Sequence, residues 1–247
     1  MIRKPTEEPV PSAQPELSWT GTVHCTVEAS VATLVIDHGE RNLLNPGLMA
    51  ELRETLLAVD ASPEINGIVL TGAGTLFCGG LDVQAIQAGA DPRDFASALV
   101  ALLQVFPHLK TPIAAAVNGD AVASGASLVA ACDYAVAVSD ARIGTYEVSV
   151  GIWPMIAQVP LVHRIGARAA MENIGAGEPF GAQRAYELGL VQKVVGPDQV
   201  GQEALAWLGK ASRAGANAAS RVSLYELAEM AYADALDESL ARFVAQF

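Results

Sequence analysis

Two short β-branched runs open the patterned part of the chain, Thr22–Glu28 and Val31–Asp37, with only Ala29-Ser30 between them. Such a pair reads as a β-hairpin. Asn45-Pro46-Gly47 then leads into apolar positions Leu48, Met49, Leu52, Leu56 and Val59, whose spacing predicts a helix. The run 65–71 predicts a buried strand that ends at Gly72-Ala73-Gly74. Helical stretches follow over 83–106, then a strand at Ile113–Val117, a helix of small residues at Ser124–Ala131 and a strand at Tyr134–Val138. Ile143-Gly144-Thr145 predicts one more short extended piece, and from Trp153 onward the pattern is helical apart from 190–195.

Strands alternating with helices predict an α/β core with crossover connections. No internal repeat and no linker separates a second core. The expected organisation is a flexible Pro/Glu-rich tail over 1–18, a core over 19–196 and a helical, Ala-rich C-terminal region over 197–247. The last helical stretch carries Leu224, Leu227, Ala228, Ala231 and Ala235 on one face, with Leu240 and Phe243 beyond. That face has to bury on this core or on another subunit.

Composition narrows the function. About half of the 247 residues are hydrophobic and 17% are charged, which fits a compact globular protein. A net charge of −12 disfavours sequence-independent nucleic-acid binding, though a few local cations could still hold a phosphate-bearing ligand. Cys25, Cys78 and Cys132 match no metal spacing and read as free thiols and small buried hydrophobes. No segment has the length of a membrane span or the apolar stretch of a signal peptide, so the expected localisation is cytoplasmic, with no metal and no membrane partner.

Candidate chemistry lies in two glycine-containing loops and one glutamate. Gly79-Gly80 allows a tight turn and close approach to a ligand, leaving the Leu81 N–H as a donor; the alternative is an ordinary strand-to-helix turn. Ser124-Gly125 begins a helix, where N–H groups lack internal partners and an oxyanion is stabilised; the alternative is a close-packed core helix. Glu147 sits in an apolar region running to Ile152-Trp153-Pro154, where partial desolvation would raise its pKa; the alternative is a surface glutamate.

These segments occur in a familiar order. Glu40-Arg41-Asn42-Leu43-Leu44-Asn45, Phe77-Cys78-Gly79-Gly80-Leu81-Asp82, the stretch from Lys110-Thr111-Pro112 to Asn118-Gly119, Cys132-Asp133-Tyr134 and Glu187-Leu188-Gly189-Leu190-Val191 together resemble the crotonase superfamily, the enoyl-CoA hydratase/isomerase family. The resemblance covers about residues 22 to 200. It implies a crotonase-like spiral of strand–strand–helix turns, with the C-terminal helices serving trimerisation or covering the active site. It implies homotrimers or hexamers, a coenzyme A thioester as substrate and no separate cofactor. By position, Leu81 and Ser124 would supply the oxyanion-hole N–H groups. Arg41 and Leu43 would lie along the CoA moiety, and Gly79, Gly80, Asp82, Val83 and Gly125 would line the same site.

The departures bear on the reaction. Hydratases of the family usually carry two glutamates; Glu147 takes the place of the second, and Ser127 stands at the first. Ser127 could orient a water or a substrate, or fill space. One glutamate suits a 1,3-proton shift that converts a 3-enoyl to a 2-enoyl thioester. Hydration, hydroxycinnamoyl-CoA hydratase-lyase cleavage and decarboxylation are the alternatives, followed by a non-catalytic acyl-CoA-binding subunit. None of His24, His38, His108 and His163 falls at a catalytic position, and Tyr225 and Tyr232 read as packing residues or as walls of an acyl pocket.

Overall fold

The computed structural model describes residues 19–212 and 217–245, so the tail expected over 1–18 lies outside the described residues. The elements run β1 (Thr22–Glu28), β2 (Val31–Asp37), α1 (Pro46–Ala61), β3 (Gly67–Gly72), α2 (Val83–Gln87), α3 (Pro92–Leu103), β4 (Ile113–Val117), β5 (Ala121–Val122), α4 (Ser124–Ala131), β6 (Tyr134–Val138) and β7 (Arg142–Gly144). They continue with α5 (Gln158–Ala176), β8 (Phe180–Gly181), α6 (Ala182–Glu187), β9 (Lys193–Val195), α7 (Val200–Ala211), α8 (Asn217–Ala228) and α9 (Tyr232–Val244).

The main sheet has the order β1-β2-β3-β4-β6-β9. The hairpin β1–β2 is antiparallel and every later pairing in this sheet is parallel. Parallel strands covered on both faces need apolar residues throughout, and β4 (Ile-Ala-Ala-Ala-Val) is buried at all of its positions. One cover is α1, whose Asn45 side chain accepts the Leu48 N–H at 2.9 Å and whose Leu48, Met49, Leu52, Leu56 and Val59 are buried. Another is α7, which buries Val200, Ala204 and Leu208 and contacts β3, β4 and β6.

A second sheet, β5-β7-β8, is built from strands of two or three residues. β5 and β8 carry no pattern long enough to predict. The stretch expected over 83–106 divides at Gly89 to Asp91, where Gly89 takes φ +110° and the Asp91 side chain caps α3. The final helical stretch also divides, at 229–231, and Arg242 of α9 folds back to Glu226 (2.7 Å) and Ser223 (2.9 Å) of α8. Cys25, expected to be buried, is exposed on the edge strand β1, whereas Cys78 and Cys132 are buried.

The last helices are held to the core by a buried ion pair. Arg221 of α8 donates to both oxygens of Asp133 at 2.8 Å and to the Leu109 carbonyl. Asp133 also accepts the Ile113 N–H at 2.8 Å and the Tyr225 hydroxyl at 2.5 Å. Tyr225 holds this clasp through its hydroxyl and also lines a cavity between α3, α4, α5 and α8, while Tyr232 is 82% exposed. Leu236, Leu240 and Phe243 of α9 are exposed on the single chain. No described helix is long and apolar enough to cross a membrane.

Candidate active site

Four short segments run side by side in the same direction. Isolated parallel bridges join Leu44 to Leu81 and Cys78 to Ala121, and β5 pairs in parallel with β7 through Ala121–Ile143 and Val122–Gly144. Leu81 follows Cys78 by three residues, Ser124 follows Ala121 by three, and Glu147 follows Ile143 by four. The ladder therefore delivers both loops and the glutamate to one end of the small sheet. The Phe77 and Cys78 N–H groups donate to the Asp120 carbonyl, and Val122 N–H returns a bond to the Cys78 carbonyl at 2.9 Å.

The loops touch at Gly80, which adopts φ +92°. A Cβ there would lie 2.6 Å from the Ala123 Cβ and 3.5 Å from the Ser124 nitrogen, so only glycine fits and the residue before Leu81 abuts the Ser124 amide. Leu81 is held on both sides, by the Leu44 N–H on the Gly80 carbonyl (2.8 Å) and the Asp82 N–H on the Leu44 carbonyl (2.9 Å). Among the described residues, the Leu81 and Ser124 N–H groups donate to no protein atom. Gly125 packs against the Cys78 carbonyl. Cys78 itself is inert as a nucleophile, since burial pushes its thiol pKa up to about 12.

Ser124 opens α4, whose dipole places partial positive charge at that end. Arg164 of α5 binds the opposite end, donating to the Ala130 carbonyl at 2.9 Å and the Cys132 carbonyl at 2.6 Å. Ala123, just before the helix, holds φ +53° and ψ −124°, a conformation that disfavours a side chain by about 1–3 kcal/mol. Its N–H donates to the Gly144 carbonyl at 2.9 Å, which fixes the loop on β7.

Glu147 is half-buried at the start of a helical turn, Glu147–Val150. Burial raises its pKa, and the backbone N–H groups of Glu147 and Tyr146 offset part of that rise; the Tyr146 bond is 2.9 Å. Ser127, by contrast, is fully buried, and its hydroxyl donates to the Ala157 carbonyl at 2.9 Å. Arg41 is exposed beside the first loop. Its carbonyl accepts the Gly79 N–H at 2.9 Å, and a Cβ on Gly79 would sit 3.4 Å from Arg41 Nε and 3.1 Å from Leu43 Cδ2. Asp82 caps the short helix α2 through the Ala85 N–H, and Val83 is exposed next to it.

A cavity of about 670 Å³ opens between α3, α4, α5 and α8, with Leu103, Phe106, Ala130, Ile156 and Val159 among its walls. Neither glycine loop lines it. It lies at the far end of α4, about 10 Å along the helix from Ser124 at 1.5 Å per residue.

Sequence reading passed over three polar side chains that shape this region. Asn42 is buried with φ +48° and donates to the Ala73 (2.9 Å) and Leu76 (2.7 Å) carbonyls, which holds the approach to Cys78. Arg164 and Asn173 act from α5. Only Asn42 left a local signal, an amide inside the Arg41-Asn42-Leu43 segment; the other two work through contacts distant in sequence.

A family model described as enoyl-CoA hydratase/isomerase matches residues 26–241. A putative enoyl-CoA hydratase of Thermus thermophilus is 35% identical over 177 residues, covering 69% of this chain and 69% of that protein. The mitochondrial enoyl-CoA hydratase domain-containing protein 3 of Danio rerio is 32% identical over 170 residues, covering 68% of this chain but 59% of that longer protein. Among solved structures, an enoyl-CoA hydratase of Mycobacterium smegmatis superposes with a TM-score of 0.83 at 28% identity, covering 91% of this chain and 90% of that one. With the ladder, the two loops and these matches together, the chain belongs to the enoyl-CoA hydratase/isomerase family of the crotonase superfamily.

Proposed function

We propose that this protein isomerises a 3-enoyl-CoA thioester to the 2-enoyl-CoA thioester, with Glu147 as the only proton carrier. The observation that carries the reading is the contrast between two positions. Glu147 is a half-buried carboxylate with a raised pKa, whereas the Ser127 hydroxyl is fully buried and bonded to the Ala157 carbonyl.

The thioester carbonyl oxygen would accept the Leu81 and Ser124 N–H groups, which have no protein partner among the described residues. Ionised Glu147 removes a proton from the α-carbon. The electron pair spreads through the 3,4 double bond into a dienolate, with the oxyanion on the two N–H groups. Protonated Glu147 then returns the proton at the γ-carbon, the double bond comes to lie at 2,3, and no atom is gained or lost. An oxyanion donor of this kind is worth about 2.7–4 kcal/mol and general base catalysis about 10²–10⁴-fold. The raised pKa makes Glu147 a stronger base for the first transfer, and its protonated form is still a far stronger acid than the γ-carbon it protonates in the second. Arg41, exposed beside Gly79, would meet the CoA phosphates, with Leu43 against the pantetheine arm. The apolar cavity at the far end of α4 would receive the distal acyl chain.

Hydration is the second reading, and the relatives' names favour it. Incubation with 3-enoyl-CoA esters of several chain lengths, followed by chromatography with mass detection, separates the two. A conjugated product of unchanged mass supports isomerisation. A product heavier by one water makes the protein a hydratase, and no conversion of any ester refutes the isomerase reading.

A further inference from the structure

The backbone that leads to Glu147 is gripped by one side chain outside both loops, and the residue before that grip holds the segment that leads to Ser124. Asn173 lies in α5 and is 1% exposed. Its Oδ1 accepts the Thr145 N–H at 2.8 Å and the Thr145 hydroxyl at 3.1 Å. Its Nδ2 donates to the Thr145 carbonyl at 2.7 Å and the Glu178 carbonyl at 2.8 Å. Both protons of the amide and two acceptor positions are thereby filled. One carboxamide holds the N–H, the carbonyl and the hydroxyl of a single residue.

Thr145 connects the two groups. In one direction the chain reaches Glu147 two residues on. In the other it meets Gly144, whose carbonyl accepts the Ala123 N–H at 2.9 Å, and Ala123 precedes Ser124. Gly144 has φ +149°, and a Cβ there would lie 2.7 Å from Asn173 Oδ1, so the bare backbone at this position makes room for the amide. The end of α5 presses on the same turn, since a Cβ on Gly177 would be 2.8 Å from the Ser149 nitrogen.

We infer that Asn173 is a positioning residue that sets the Glu147 carboxylate and the Ser124 N–H in one fixed register through Thr145 and Gly144; the inference rests on the roles given to those two groups above. A fully satisfied buried network is stiff, and each bond supports the next. Acid–base chemistry on a held thioester is sensitive to that stiffness, because a misplacement of about 1 Å can cost about 10²-fold in rate.

The test compares Asn173→Asp, Asn173→Ala, Thr145→Ser and Leu208→Ala with the wild type, each assayed for 3-enoyl-CoA turnover well below its Tm. Asn173→Asp keeps the shape and the bonds from Thr145 but turns a carboxylate oxygen toward the Thr145 and Glu178 carbonyls. Leu208 is fully buried on the face of α7 that covers the main sheet, away from the loops, and reports a loss of stability alone. Both Asn173 variants are expected to lose about 10²-fold in kcat with little change in KM. They should also shift the acid limb of kcat/KM, because the surroundings of Glu147 change. Thr145→Ser retains every bond and should keep the wild-type kcat; Leu208→Ala should lose Tm and keep kcat. A folded Asn173→Asp protein with unaltered kcat and acid limb overturns the positioning role while leaving the isomerase reading intact. A wild type that converts no 3-enoyl ester overturns both.

Discussion

Glu147→Gln separates the proposed chemistry from its rivals most sharply. Glutamine is nearly isosteric, and its carbonyl can still accept the Tyr146 N–H that now meets Glu147 Oε2 at 2.9 Å, so the turn should survive. What vanishes is a group that takes and returns a proton. General acid–base catalysis contributes about 10²–10⁴-fold, which is about 2.7–5.4 kcal/mol at 1.36 kcal/mol per decade. Because one residue would perform both transfers and Ser127 is bonded elsewhere, the loss should fall near the upper end, leaving only what the two N–H groups and binding provide. Stability should move the opposite way. Burial raises the Glu147 pKa in the folded state above its ordinary value of 4.5, so the native protein binds this proton more tightly than the unfolded chain. That contribution to stability is fully present below the unfolded pKa and is lost as pH rises through the folded pKa. At pH 7 the ionised carboxylate is a burden, and Glu147→Gln should hold or raise Tm there, with the difference closing as pH falls toward the ordinary carboxylate range. The wild-type kcat/KM should decline on acidification with a midpoint above 4.5, since the base must be ionised. The assay is the absorbance of the conjugated 2-enoyl thioester, paired with thermal unfolding at pH 7 and pH 5. Undiminished turnover in Glu147→Gln, or an acid limb below the ordinary carboxylate range, would refute the reasoning.

Three further changes test the scaffold. Ser127→Ala removes one buried hydrogen bond to the Ala157 carbonyl, which the first turn of α5 still caps, and should cost about 0.5–1.5 kcal/mol in urea unfolding while sparing kcat; a kcat loss of about 10²-fold would return Ser127 to the chemistry. Ala123→Gly releases a strained backbone and should stabilise the fold by about 1 kcal/mol, with a lower Tm counting against the strain. Arg221→Ala leaves the Asp133 carboxylate buried without its cation and should cost about 3–5 kcal/mol, with a loss under about 1 kcal/mol showing that the clasp does not hold α8.

The parts legible in the sequence are those specified by neighbours along the chain. The β1–β2 hairpin, α1 with its Asn45 cap, and β4 as an unbroken apolar strand follow from local pattern. Gly79-Gly80 and Ser124-Gly125 read equally as an ordinary turn and a packed helix start, and Glu147 as a surface glutamate, until the ordered set of motifs around them is taken together. Two-residue strands are another matter. β5 and β8 are strands only because β7 lies between them, and no window of two residues holds a period. The division between α8 and α9 likewise has no glycine or proline to announce it, and Arg242 reaches back across it to Glu226. Asn173 and Thr145 are 28 residues apart, and Arg164 lies 34 from Ala130, so their identities carry meaning only once the chain has closed on itself.

Those long-range contacts also bear on how the proposed reaction could run on one carboxylate. α4 is tied to the segment entering α5 at two points. Near its start, Ser127 bonds to the Ala157 carbonyl, and at its end Arg164 bonds to the Ala130 and Cys132 carbonyls. By the resemblance drawn from the sequence, the first tie falls where family hydratases would carry a further glutamate. The second neutralises the negative end of the helix dipole and leaves the positive end free at Ser124. On the proposed reading, the protein exchanges a water-handling group for a helix locked along its length. A proton shift needs no water in the site, and its rate depends on how well the dienolate oxygen is held between two fixed N–H donors. Preorganised donors are effective because they need no reorientation as charge develops. On that reading Ser127 is a structural tie between α4 and the segment entering α5, and the proton shift rests on Glu147 and the two N–H donors.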